Sequence, residues 1–154
     1  MRTPATDMLE RQKLGYELRS YDEVEKTAEE VVQKLALPAE CVFKTLLVQS
    51  GRDFAFAVIA STQQLSLRRL ARAWGKPAVE MADPRDIQRV TGYVRGSVSP
   101  LGGRRPIPVF IDESAQSLEV MAVSAGARGI ELLIRPSNLQ AAAQAVFSAI
   151  AQED

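Results

Sequence analysis

An ammonium set inside an apolar strand is the first residue of this sequence with chemical promise. Lys44 lies within Val42-Phe43-Lys44-Thr45-Leu46-Leu47-Val48, where strand alternation places it on the same face as Val42, Leu46 and Val48. Burying that charge needs a partner, so Lys44 either snorkels at the strand edge or lines a pocket that takes an anion. Two small-residue segments could supply backbone donors. Thr91 to Gly103 carries glycine at 92, 96, 102 and 103, which lets a ligand oxygen approach the main chain closely, although a plain connecting loop has the same composition. Its spacing matches neither a Walker A loop nor a dinucleotide fingerprint, so no nucleoside triphosphate or nicotinamide cofactor is expected. Val123 to Gly129 forms a second turn, followed by Glu131, which reads as a solvent-facing strand residue or as a carboxylate in a pocket.

The chain has 154 residues, one cysteine and no histidine. Ser-His-Asp and Cys-His chemistry both require an imidazole to take the nucleophile's proton, so catalysis must proceed without one. The usual zinc sites are excluded for the same reason, no metal or cofactor is implied, and Cys41 reads as a small core residue. The start, Met1 to Ala5, has no apolar signal-peptide core and no apolar run approaches a membrane span, so a soluble cytoplasmic protein is expected. Net charge is zero, from 19 basic and 19 acidic side chains, but residues 66–105 hold nine basic and three acidic ones while residues 1–40 hold six and nine. A nucleic acid would be favoured on one side only, unless these charges are simply solvated helix faces.

Length and composition point to one domain spanning 1–154. Thr3-Pro4 reads as a helix start, with the helix stopping near Gly15, and Tyr16 to Tyr21 as a strand. Thr27-Ala28-Glu29-Glu30 reads as a capping box before a second helix. Val42 to Gln49 and Phe54 to Ala60 flank Ser50-Gly51-Arg52-Asp53, a hairpin signal. Ser66 caps a helix that Gly75 ends, and Asp83-Pro84 starts a short one. Pro108 to Asp112, Glu119 to Val123 and Ile130 to Arg135 are further strands, and Ser137 caps a closing alanine-rich helix. The sum is an α+β fold: a mixed, largely antiparallel, barrel-like sheet surrounded by helices.

The stretches from Val42 to Val48, Met81-Ala82-Asp83-Pro84, Thr91-Gly92-Tyr93 and Gly96-Ser97-Val98-Ser99-Pro100-Leu101-Gly102, in that order and spacing, resemble the YbaK/EbsC family. The resemblance extends to Thr3-Pro4-Ala5, Tyr21 and Val123-Ser124, and so covers nearly the whole chain. It implies the fold of the editing domain inserted in bacterial prolyl-tRNA synthetases and an aminoacyl-tRNA deacylase that clears cysteinyl-tRNA(Pro). By that likeness Lys44 contacts phosphate or ribose at the terminal adenosine, and Gly96 begins the Gly-x-x-x-Pro loop whose N–H groups hold the scissile carbonyl. Tyr21, Thr45, Ser97, Pro100, Ser124, Gly126 and Glu131 would bind substrate.

The missing histidine fits this family, because the cysteinyl thiol would attack its own carbonyl and leave as a thiolactone. The implied partners are the 3′ end of a mischarged tRNA and prolyl-tRNA synthetase. Ala125 stands where many members have glycine and Glu131 where they have aspartate, so the edited amino acid is left open. The alternatives are a deacylase for serine or alanine that uses a ribose-held water, and a non-catalytic module that binds tRNA ends or a synthetase.

Overall fold

A computed structural model describes residues 1–21 and 28–153. In chain order its elements are α1 (Pro4–Gln12), β1 (Glu17–Ser20), α2 (Ala28–Leu35), β2 (Phe43–Ser50), β3 (Asp53–Ala60), α3 (Leu67–Trp74), β4 (Glu80–Met81), α4 (Ile87–Thr91), β5 (Val109–Asp112), β6 (Met121–Ser124), β7 (Ile130–Ile134), α5 (Pro136–Ala143) and β8 (Val146–Ser148). Local chemistry accounts for several boundaries. Thr3 accepts a hydrogen bond from the Thr6 N–H at 3.2 Å while the Thr6 hydroxyl accepts from the Thr3 N–H at 2.8 Å, so α1 starts in a reciprocal cap with Pro4 in its first turn. Lys13, in the left-handed region, ends α1 before Gly15 is reached. Ser66 caps α3 and Gly75 closes it. Asp83 caps the short turn that leads into α4. The expected capping residue Thr27 lies outside the described residues.

The strands form two sheets. One is antiparallel with order β1-β7-β6, and the other has order β4-β2-β3-β5-β8. The β2–β3 hairpin pairs Phe43 with Ala60 through Ser50 with Asp53, leaving Gly51 and Arg52 as its two-residue turn. β3 pairs in parallel with β5, and β5 with β8, so the second sheet is mixed. The α+β character therefore holds, but the expected barrel-like closure does not. The two sheets meet at an isolated parallel bridge between Val42 and Ala122 instead of zipping into a continuous ladder.

Two further expectations are corrected. Ser137 does not cap α5: Pro136 occupies the first turn, where its missing N–H costs nothing, and Arg135 is the cap residue without a side-chain bond. Nor does the chain close on that helix. Gln144 turns it into β8, and Asp112 then takes the N–H groups of Ile150 and Ala151, both at 3.1 Å.

The main core lies between the sheets and the α1–α5 layer, and includes Leu9, Phe43, Phe56, Ile111, Met121, Leu132, Ile134 and Leu139. Each such side chain contributes about 1.5–3 kcal/mol through burial. A second cluster packs α3 against β3 and β5 through Leu70, Ile59 and Phe110, and a third joins Leu35, Val42, Ala122 and Leu133 at the junction of the sheets. Among the described residues no helix is long and apolar enough to cross a membrane.

Candidate active site

The bridge between Val42 and Ala122 organises the site. Because β2 and β6 run the same way there, Lys44 on one strand and Ser124 on the other lie at the same end of the third cluster. Period-2 alternation keeps both on that cluster's face. Ser124 is directly opposite Glu131 in the β6–β7 ladder, and Glu131 precedes Leu133, another member of the cluster, on the same face. Tyr21 follows β1, fixed by its N–H bond to the Gly129 carbonyl at 2.8 Å, and packs against the same cluster. Lys44, Ser124, Glu131 and Tyr21 thus share one rim, drawn from both sheets.

Glu131 faces inward. Of the two readings the sequence left open, the solvent-facing one is excluded, since only 8% of the residue is exposed. Burial pushes its carboxyl up to about 8, a rise partly offset by a hydrogen bond with the Tyr21 hydroxyl. Desolvation and the adjacent Glu131 in turn raise the Tyr21 phenol above its ordinary value. The second carboxyl oxygen has no hydrogen-bond partner among the described residues. Glu131 therefore holds its proton to higher pH than a solvated glutamate, and in its protonated form it can donate a hydrogen bond as well as accept one. Lys44 is half-buried, with no hydrogen-bond or ion-pair partner among the described residues.

The glycine segment is a built loop. Gly92, with φ +82°, ends α4, and the Thr91 hydroxyl accepts from the Tyr93 N–H at 3.0 Å. Tyr93 turns inward and donates its hydroxyl to the Leu101 carbonyl at 2.5 Å, which closes the loop on itself. The N–H and hydroxyl of Ser97 both reach the Val94 carbonyl at 3.0 Å, and Gly96 has φ +90° with nothing near its vacant Cβ position. The N–H groups of Gly96, Val98 and Ser99 donate to no group among the described residues. Ser97 and Pro100 are buried and hold the loop's shape.

Ser124 fastens this loop to β6. Its hydroxyl donates to the Ser97 carbonyl and accepts from the Gly126 N–H, both at 3.1 Å. Gly126 has a packing reason to be glycine: at φ +97°, a Cβ would come 2.5 Å from the Tyr93 ring. Thr45 is not brought to the Lys44 face. It shares its face with Phe43 and Leu47, which belong to the main core, and its hydroxyl is buried there without a hydrogen-bond partner among the described residues. Cys41 is buried, and desolvation raises its thiol. Sequence reasoning missed Tyr93, which closes the loop and sets the turn at Gly126; an aromatic directly after a helix-ending Thr-Gly was the available signal.

The assembled groups are a cation, a buried carboxyl and loop N–H groups without a partner among the described residues. The cation and the N–H groups are donors suited to an ester or phosphate oxygen, and no imidazole stands among them. Residues 22–142 match the family model of the aminoacyl-tRNA editing domain. The chain belongs to that family.

This editing enzyme is 32% identical to EbsC of Enterococcus faecalis, over 99% of this chain and 95% of that protein, which carries the provisional name Cys-tRNA(Pro)/Cys-tRNA(Cys) deacylase. It is 25% identical over 108 residues to the proline–tRNA ligase of Xanthomonas campestris, covering 70% of this chain and 19% of the ligase. Its fold matches that of a crystal structure described as a provisional trans-editing enzyme for prolyl-tRNA synthetase, with TM-score 0.89, 20% identity and 99% of both chains covered. A crystal structure of a hypothetical protein matches with TM-score 0.90 and 22% identity, over 97% of this chain and all of that one.

Proposed function

We propose that residues 1–154 form a single editing domain that releases cysteine from mischarged tRNA(Pro) as a thiolactone, with the cysteinyl thiol attacking its own ester carbonyl. The observation that carries this reading is a half-buried cation and unpartnered loop N–H groups, among the described residues, in a chain with no histidine. Such a site can orient an ester and stabilise an oxyanion, and in this reading the nucleophile is the thiol that the substrate brings. Proximity suffices for that step, because effective molarities for well-oriented intramolecular attack reach roughly 10⁵ M or more. The thiol sulfur bonds to the carbonyl carbon, the thiol proton passes to solvent or the leaving ribose oxygen, and the C–O ester bond breaks to release tRNA and a cyclic thiolactone.

In this mechanism Lys44 holds phosphate or ribose oxygen at the terminal adenosine as a point charge. The N–H groups around Gly96 take the developing oxyanion, one such donor being worth about 3 kcal/mol of barrier. The neutral Glu131 acid, held by Tyr21, donates to a substrate oxygen, while Ser124, Ser97, Pro100 and Gly126 keep the loop in register. The 32% identity to a protein named for cysteinyl-tRNA deacylation supports the choice of amino acid. Because net charge is zero, free tRNA should bind weakly, and prolyl-tRNA synthetase supplies recruitment.

The test is deacylation of cysteinyl-, seryl- and alanyl-tRNA(Pro) by wild type and Lys44→Ala, with tRNA binding measured in parallel. Cysteine-selective turnover lost in the variant is the expected result. Turnover of serine or alanine would move the mechanism to a ribose-held water, and binding without any turnover would make the protein a non-catalytic module.

A further inference from the structure

A second charged concavity lies at the opposite end of the β2–β3 hairpin. Arg52 in the hairpin turn, Lys76 just after α3 and Arg105 in the segment before β5 line a cavity of about 380 Å³, together with Asp53, Phe54 and Trp74. Asp53 is the one acidic residue of that lining, and Lys76 already pairs with it at 2.7 Å. Arg52 and Arg105 are exposed, as is the neighbouring Arg104.

The aromatic residues decide what this surface can read. The Lys76 ammonium lies 5.2 Å from the Trp74 ring centroid, and the Arg105 guanidinium lies 5.3 Å from that of Phe54. With these cations over the rings, the rings hold charge in place instead of offering a platform on which a base would stack. A concave surface of three cations, two of them held over rings, suits phosphate oxygens, whereas a protein partner would call for an exposed apolar anchor.

Its position relative to the ester site is set by the strand. The six residue steps from Lys44 to Ser50 cover about 20 Å of extended backbone. The same separation is bridged by the chain itself, since the glycine loop runs on through Gly103 to Arg104 and Arg105. An RNA strand covers that distance in a few nucleotides, which is where the single-stranded 3′ end of a tRNA gives way to its acceptor stem.

We propose that the Arg52–Lys76–Arg105 concavity is a second RNA contact that grips the phosphate backbone of the acceptor stem while the aminoacyl ester sits beside Lys44. The proposal rests on the editing function above and adds a surface that substrate choice at the ester does not require. It separates binding of the stem from chemistry at the ester, so its loss acts on KM and not on kcat.

The experiment compares wild type with the Arg52→Ala/Arg105→Ala double variant, and with Arg52→Lys/Arg105→Lys as a charge-keeping control. Two substrates are used, an acceptor-stem minihelix and an aminoacyl trinucleotide, both charged with cysteine. For the minihelix the alanine variant should raise KM roughly tenfold and lower the slope of log KM against log salt by about 2, with kcat unchanged. The trinucleotide should be cleaved equally well by all three proteins, and the lysine control should keep most of the minihelix affinity. Equal losses on both substrates, no loss on either, or a loss seen only with prolyl-tRNA synthetase present would each overturn the proposal, the last in favour of a protein contact. Direct binding of uncharged minihelix keeps the two readings distinguishable. If no aminoacyl ester is cleaved but the double variant still loses minihelix binding, the editing mechanism fails and the RNA surface stands; unchanged binding sinks the surface whatever the activity.

Discussion

The Glu131 carboxyl should make this protein lose stability as pH rises through neutrality, the reverse of the usual effect of a salt-bridged carboxylate. In the unfolded chain the group ionises near 4.5, whereas burial in the fold holds its proton to about 8. Between those values the native state binds a proton that the unfolded state has released, so unfolding becomes progressively easier with pH. The contribution is complete below about 4.5 and gone above about 8. At about 1.4 kcal/mol per pH unit, the loss across that window is about 3–6 kcal/mol, a large share of the 5–15 kcal/mol typical of a domain. Glu131→Gln supplies the control, being close to the protonated acid in shape but unable to ionise. Urea unfolding of both proteins at half-unit steps from pH 4.5 to 9 should show the variant gaining on wild type throughout, with the difference flattening above pH 8. Parallel stability curves, within about 0.5 kcal/mol across the range, would mean that Glu131 is solvated in solution, and the argument for a neutral acid in the site would fail.

The remaining predictions use the same rim and its supports. Lys44→Ala should reduce kcat/KM for mischarged tRNA by a hundredfold or more, roughly 3 kcal/mol of lost charge-assisted contact, while shifting the melting temperature little because Lys44 pairs with no described residue. Gly126→Ala should cost about 2–4 kcal/mol of stability through a positive φ and the Tyr93 ring, whereas Gly96→Ala, whose Cβ meets open space, should cost about 1 kcal/mol and act chiefly on kcat; thermal unfolding and single-turnover rates separate them. Ser124→Ala removes both fastenings of the glycine loop, and hydrogen exchange at the Ser97 and Gly126 N–H groups should accelerate at least tenfold, corresponding to about 1.4 kcal/mol. Asp112→Ala should destabilise by about 3 kcal/mol and release β8, seen as proteolysis after residue 143, because four groups donate to that one carboxylate.

The sequence disclosed those features that depend on short-range rules. The face of Lys44 followed from period-2 alternation in a long strand, and the hairpin from a glycine turn between two apolar runs. The caps at Thr3, Ser66 and Asp83 followed from side chains that satisfy N–H groups next to them. What stayed hidden was non-local. The inward face of Glu131 is set by β1 and β6 on either side of it, and its apolar flanks on both sides erase the alternation that would have shown which way it points. β4 and β8, of two and three residues, are too short to carry a period. That β3, β5 and β8 run parallel depends on crossovers between distant segments, which no local pattern encodes. Thr45 follows Lys44 in the strand and so points to the opposite face, among the main-core residues.

The meeting of the sheets at the Val42–Ala122 bridge bears on how such an enzyme could change its taste in amino acids. Lys44 belongs to one sheet and Ser124 and Glu131 to the other, so the gap an ester would occupy is a clearance between two separately built parts. The side chains at that junction, Val42, Ala122 and Leu133, stand where a change of volume would alter it. Selection for a bulkier or smaller amino acid can therefore act on a methylene in the core, and leave every group that touches the substrate as it is.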